Sequence, residues 1–206
     1  MKTLLLSAAL ALLLFIPEAL AAEANIDPSF SIDVPSGWET LDTGLMSLAP
    51  KAVTSMIDCA REDPSNAKQL GYKLAEDGTF LAAYCISFQR SGMGKLRNIL
   101  KSSTGENRQK ASDKFIDTFA SKLHEEYGVK RKMAISGLSA DLMDADKDVI
   151  MVMDGKVKAG ESDFMRSLLI FLHNDSLLNI GFIHAAGAPS TLVEQLDAIP
   201  VSLKWK

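Results

Sequence analysis

The chain has 206 residues, with 22 Lys and Arg against 26 Asp and Glu, a formal net charge of −4 at pH 7. A mildly acidic chain of mixed sign lacks the basic footprint of a nucleic-acid binder and the polybasic segment that anionic lipid attracts. Its 2 cysteines are too few for a structural zinc site, and their separation of 26 residues excludes a C-x-x-C redox pair.

The opening MKTLLLSAALALLLFIPEALAAEA has the layout of a secretory leader. Lys2 is the positive start, residues 4–16 are apolar or small, and Ala19-Leu20-Ala21 fits the small-x-small cleavage rule. The apolar run is about 13 residues, whereas a membrane-spanning helix needs about 20. Cleavage is expected after Ala21 or Ala22, dividing the chain into a leader, 1–21, and a single domain, 22–206. No cysteine stands at the cleavage point for a lipid anchor, and no later segment is apolar enough to span, so the mature chain is expected to be soluble. At that size it can bury roughly 70% of its unfolded surface. Outside the cytoplasm an even pair of cysteines favours a disulfide between Cys59 and Cys85, with two buried free thiols as the alternative.

In FSIDVPSGW (30–38), Phe30, Ile32 and Val34 alternate with Ser31 and Asp33, the period of a half-buried strand. Pro35 and Gly37 suit a type I turn, and Trp38 returns to the apolar side. A second strand is expected at 45–49. Residues 53–61 fit a strand, with Val53, Ser55, Ile57 and Cys59 on one face, and also a helix, with Val53, Met56, Ile57 and Ala60 at helical spacing; the strand is preferred. At 66–77 a helix capped by Ser65 or Asn66 would carry Ala67, Leu70, Gly71 and Leu74 and end at Gly78. A hairpin turning at Asp77-Gly78 is the rival reading. FLAAYCISFQ (80–89) is a central strand, apolar on both faces, so each face needs a cover.

A short helix is expected around 96–101, and the clearest helix lies within 105–128, where Phe115, Phe119 and Leu123 recur every four residues and Ile116, Ala120 and Tyr127 widen the stripe. Strands follow at 129–135 and 149–153, with a hairpin signal at Asp154-Gly155. In FMRSLLIFLHNDSLLNIGFIH, apolar strands at 164–173 and 177–184 flank Asn174-Asp175. Pro189 opens a last helix carrying Leu192, Leu196 and Ile199, and PVSLKW closes the fold. Strands, helix, strands, helix is the order of an α+β domain with a mostly antiparallel sheet flanked by helices.

Each chemical motif is incomplete. Asp144, Asp146 and Asp148 have calcium-loop spacing, but Val149 and Gly155 stand where Gly and Glu are needed. SGMGKL lacks the first Gly and the Ser or Thr of a phosphate loop. Ser65 and Lys68 have Ser-x-x-Lys spacing without a later K-T-G, and GLSAD ends on Asp141 where a nucleophile elbow needs Gly. His124 falls on the solvent side of its helix. With a two-residue turn at 174–175, His173 faces Ser176 and His184 faces Met165, about 30 Å apart along the ladder, too far to share a metal. Asn174-Asp175-Ser176 is a formal glycosylation sequon whose first two residues serve the turn. No catalytic or metal-binding residue and no cofactor is assigned.

FSIDVPSGW at one end and LLNIGFIHAAGAPSTLVEQLDAIPVSLKW at the other resemble the PsbP/DcrB-like α/β/α sandwich, and the order of elements follows it over most of the mature chain. The cysteine pair is not part of that resemblance. The resemblance implies a mostly non-catalytic module that binds or assists a larger assembly in the periplasm or thylakoid lumen. The expected role is a periplasmic or secreted binding or accessory protein with a protein partner in the cell envelope. An exported hydrolase with a scattered site and a small-ligand carrier are the alternatives.

Overall fold

Alternating Phe30, Ile32 and Val34 do form a strand in the computed structural model of the chain, which describes residues 21–206 apart from 43, 58, 60–64, 91, 102–104 and 146–147. Residues 1–20, all of the expected leader but Ala21, lie outside the described residues. Strand β1 (Ala21–Asp27) precedes β2 (Phe30–Pro35) and pairs with it antiparallel. Gly37 takes the left-handed turn conformation, φ 72°, and delivers Trp38 to the core.

Strand β3 (Glu39–Asp42) lies earlier than the strand expected at 45–49, where a 3-10 turn, Met46–Leu48, buries Met46 and exposes Leu45 and Leu48. In the ambiguous segment 53–61 the preferred strand is replaced over 53–57 by the end of a short helix, α1 (Lys51–Thr54), and a following turn, while 58, 60 and 61 lie outside the described residues. Pro50 starts that helix, and Val53, Met56 and Ile57 are buried at helical spacing.

The helix expected at 66–77 is strand β4 (Ala67–Leu74), so the rival hairpin is the observed one. Gly78 turns at φ 81°, and the Asp77 carboxylate accepts from the Thr79 amide at 2.9 Å. A bulge between Ala67 and Gln69 shifts the strand's phase, which hid its alternation of two. Gly71 makes room for a ring: a Cβ there would stand 2.1 Å from Tyr84 Cε1.

Strand β5 (Phe80–Arg90) is central, as expected. Helices α2 (Gly94–Lys101) and α3 (Gly105–His124) follow. The expected strand at 129–135 starts only at Ala134, because a π-helical turn, Glu125–Lys130, prolongs α3 past Gly128. Strands β6 (Ala134–Ala145) and β7 (Asp148–Ala159) come next. No hairpin forms at Asp154-Gly155: β7 runs through both, pairing them with Ser167 and Arg166. Gly155 leaves space for the Leu138 side chain across the ladder, and the turn comes instead at Gly160, φ 64°. Strands β8 (Ser162–His173) and β9 (Ser176–Ala185) form the expected hairpin, with His173 opposite Ser176 and His184 opposite Met165. Helix α4 (Ser190–Val201) and strand β10 (Lys204–Trp205) end the chain.

The large sheet is antiparallel in the order β3-β4-β5-β9-β8-β7-β6; a small sheet has the order β1-β2-β10. Two cores result. Between one face of the large sheet and α2 and α3 lie Leu100, Phe115, Leu123, Tyr127, Met151 and Ile170. Between the other face and the small sheet with α4 lie Phe30, Ile32, Tyr84, Ile180, Leu196 and Ile199. Central β5 is covered on both faces, as its apolar pattern required. Each fully buried side chain of this size contributes about 1.5–3 kcal/mol.

Candidate functional site

A cavity of about 340 Å³ opens between α3 with its π-helical extension and the face of β5, β9 and β8. Its floor is set by strand register. Cys85, Gly181 and Leu168 form one cross-strand row, and Ser87, Asn179 and Ile170 form the next. Gly181 carries no side chain, which leaves room on the floor for the end of Arg166. The Cys59–Cys85 disulfide, with Cα atoms 5.5 Å apart, forms part of the wall.

Arg166 lies across that glycine. A Cβ on Gly181 would stand 2.6 Å from Nη2 and 2.9 Å from Nη1, so a side chain there would push the guanidinium aside. Arg166 is just 6% exposed. Its Nε donates to Tyr127 Oη at 3.0 Å, and Nη1 donates to the carbonyls of Phe182, at 2.8 Å, and Ser167. Tyr127 in turn donates to the Met56 carbonyl at 3.1 Å. Burial pushes the Tyr127 phenol's pKa up, against the opposing pull of Arg166, so the ring stays neutral. Among the described residues no carboxylate pairs with Arg166, and Nη2 makes no hydrogen bond. Charges this buried are ordinarily paired.

Three more cations stand in the otherwise largely neutral lining, one of them, Lys130, paired with Glu125 at 3.1 Å. Lys122, Lys130 and Arg131 join Arg166, and among the described lining residues the single acid is Glu126. That acid is committed to Arg131, Nη2 to Oε1 at 3.3 Å. Arg131 also donates to the carbonyls of Thr54 and Ser55, yet its buried Nε has no partner. Asn179 donates to Ser87 Oγ at 3.2 Å, while its own Oδ1 is buried without a donor. Two orphaned polar atoms in one small region are unusual, because buried polar groups are nearly always satisfied.

The motifs singled out in the sequence lie elsewhere. Asp144 pairs with Arg108 at 2.8 Å, Asp148 with His173 at 2.5 Å, and Asp146 lies outside the described residues. In the glycine-rich stretch, the Gly94 amide already donates to the Asp175 carboxylate at 2.8 Å, where a phosphate would have to sit. Lys68 is on a strand and reaches Asp27 at 3.5 Å. GLSAD lies inside β6 rather than at an elbow. His124 is exposed, and His184 Nδ1 lies 2.9 Å from the Ala185 carbonyl. Of the sequence candidates, only Cys59 and Cys85 touch the cavity. Arg166 and Gly181 were missed. Their signal is one of phase: Arg166 alternates with Leu168 and Ile170, which places a cation on the buried face.

Among the described residues no three His, Cys, Asp or Glu side chains converge to hold a metal ion, and no helix is long and apolar enough to cross a membrane.

The fold and the site together define an α+β sandwich with an open cavity, carrying four cationic side chains, on one face of its large sheet. No family model matches the sequence, and no curated protein matches it. Solved structures do. The solution structure of cyanobacterial PsbP (CyanoP) from Synechocystis sp. PCC 6803 matches 93% of this chain and 96% of its own, with a TM-score of 0.55 and 13% identity. A crystal structure from Bacteroides thetaiotaomicron matches 91% of this chain and 49% of its own, at 13% identity and a TM-score of 0.47. The fold is PsbP-like, as the two ends of the sequence implied.

Proposed function

We propose that the chain is an exported, non-enzymatic binding protein of the bacterial cell envelope, with the cavity beneath α3 as its ligand site. The cation-lined cavity carries this reading. It is built to hold a molecule rather than to transform one. Among the described lining residues Ser87 is the one hydroxyl, and it accepts from the Asn179 amide; no histidine lines the cavity to act as its base. A hydrolase needs a nucleophile within reach of a base. Export rests on the leader, and the disulfide fits an oxidising compartment. The PsbP-like fold supports an accessory role beside a larger assembly.

A second observation favours a protein partner. A groove of about 570 Å³ runs between β2 and α4, lined by Asp33, Glu194 and Asp197 together with Val201, which is 85% exposed. Native mass spectrometry of protein released from the envelope tests the main reading. The expected result is an N-terminus at Ala22 or Glu23 and a mass excess from a bound small molecule. A retained leader and the mass of the bare polypeptide would sink it. Crosslinking in the intact envelope identifies the partner.

A further inference from the structure

We infer that the cavity takes a small organic acid, with its carboxylate on Arg166 and its apolar body against Leu123, Leu168 and Leu177. This rests on the reading of the cavity as a ligand site and adds the chemical class of the ligand. The anionic group follows from Arg166. Arg166 is only 6% exposed and lines the cavity, its bonded partners are two carbonyls and a neutral phenol, and Nη2 has no hydrogen-bond partner among the described residues. A largely buried cation without a counter-ion is destabilising, and a carboxylate completes it with charge-assisted hydrogen bonds. Glu126 cannot serve, because Arg131 holds it.

The organic body follows from the rest of the wall. Leu123, Leu168, Leu177 and the disulfide give the cavity apolar lining, which a bare inorganic anion would leave unfilled. The volume, about 340 Å³, is at the small end for ligand pockets, roughly 300–1,000 Å³. Gly181 is then a specificity-determining position, since any side chain there would displace the guanidinium.

Isothermal calorimetry on the exported protein, with three probes, tests this. The probes are 3-phenylpropionate, the neutral 3-phenylpropan-1-ol and inorganic phosphate. The acid should bind roughly ten- to a hundredfold tighter than the alcohol, the usual range for hydrogen bonds to a charged group, and more tightly than phosphate. Arg166→Met should abolish the preference for acid over alcohol. Arg166→Lys keeps the cation and should retain part of it, which preserves the test if the methionine variant does not fold. Equal binding of acid and alcohol would overturn the anion assignment and leave the cavity a ligand site. Phosphate binding as tight as the acid would overturn the organic body. An undiminished preference in Arg166→Met would overturn the role of Arg166. Failure of all three probes to bind would overturn both this inference and the reading beneath it.

Discussion

His173 lies flat on Trp205, with ring centroids 4.0 Å apart and planes 12° from parallel. One carboxylate joins them: Asp148 Oδ1 is 2.5 Å from His173 Nδ1, and Oδ2 accepts from Trp205 Nε1 at 3.0 Å. Trp205 also meets the rings of Phe30 and Phe88 at 5.8 and 6.5 Å. The last turn of chain thereby fastens the small sheet to the end of the large one.

Trp205→Ala should therefore lower stability by about 2–3 kcal/mol, from lost aromatic packing and a stranded Asp148–His173 pair. Trp205→Phe keeps a ring but loses the hydrogen bond, and should cost about 1 kcal/mol. Urea unfolding measures both. An unchanged midpoint for the alanine variant would show that the C-terminal strand is not fastened.

Phe115 and Phe119 share the stripe of α3 but not its burial. Phe115 is 5% exposed in the core, whereas Phe119 sits half-buried at the cavity rim. Phe115→Ala should cost about 3–5 kcal/mol and Phe119→Ala about 1–2 kcal/mol. The reverse order would mean that the helix is rotated from the position described.

Two strand glycines should respond differently to alanine. At Gly71 the new Cβ would enter the ring of Tyr84, which is fully buried and bonded through its hydroxyl to Gln69 at 2.9 Å. The ring has no room to retreat, so Gly71→Ala should cost about 3 kcal/mol. At Gly155 the atom approached is Leu138 Cδ2, the tip of a flexible chain, at 2.8 Å. Gly155→Ala should cost about 1 kcal/mol or less, because that side chain can turn aside. Melting curves of the two variants give the comparison; equal losses would contradict it.

The Cys59–Cys85 bridge closes a separation of 26 residues and should stabilise the fold by about 3 kcal/mol. Reduction should lower the melting temperature and loosen the cavity wall. Non-reducing mass analysis of exported protein should find no free thiol; two free thiols would refute the bridge.

Local chemistry alone was enough for some elements. Asn174-Asp175 lies between two apolar runs, and Asn174 adopts the left-handed conformation, φ 50°, that such a turn requires. That pinned the register of β8 and β9 and separated the two histidines. The apolar stripe through Phe115 and Leu123, and the alternation of Phe30, Ile32 and Val34, were equally readable because each element has one buried face. The signal weakened where a strand is covered on both faces or changes phase at a bulge. Thus β4 looked helical, and Asp154-Gly155 looked like a turn although Gly155 serves a neighbouring leucine.

The sequence by itself determined the class of the fold, the pairing of its main hairpin and the candidate disulfide, because those depend on periodicity, turn chemistry and cysteine number. Only the tertiary structure decided the candidate site. Arg166, Asn179 and Gly181 come from two strands, and Arg131 and Tyr127 from the end of a helix. They meet because sheet register and helix packing bring distant positions onto one face. Local alternation puts Arg166 on the buried face of β8, but no local pattern records that its guanidinium ends over Gly181.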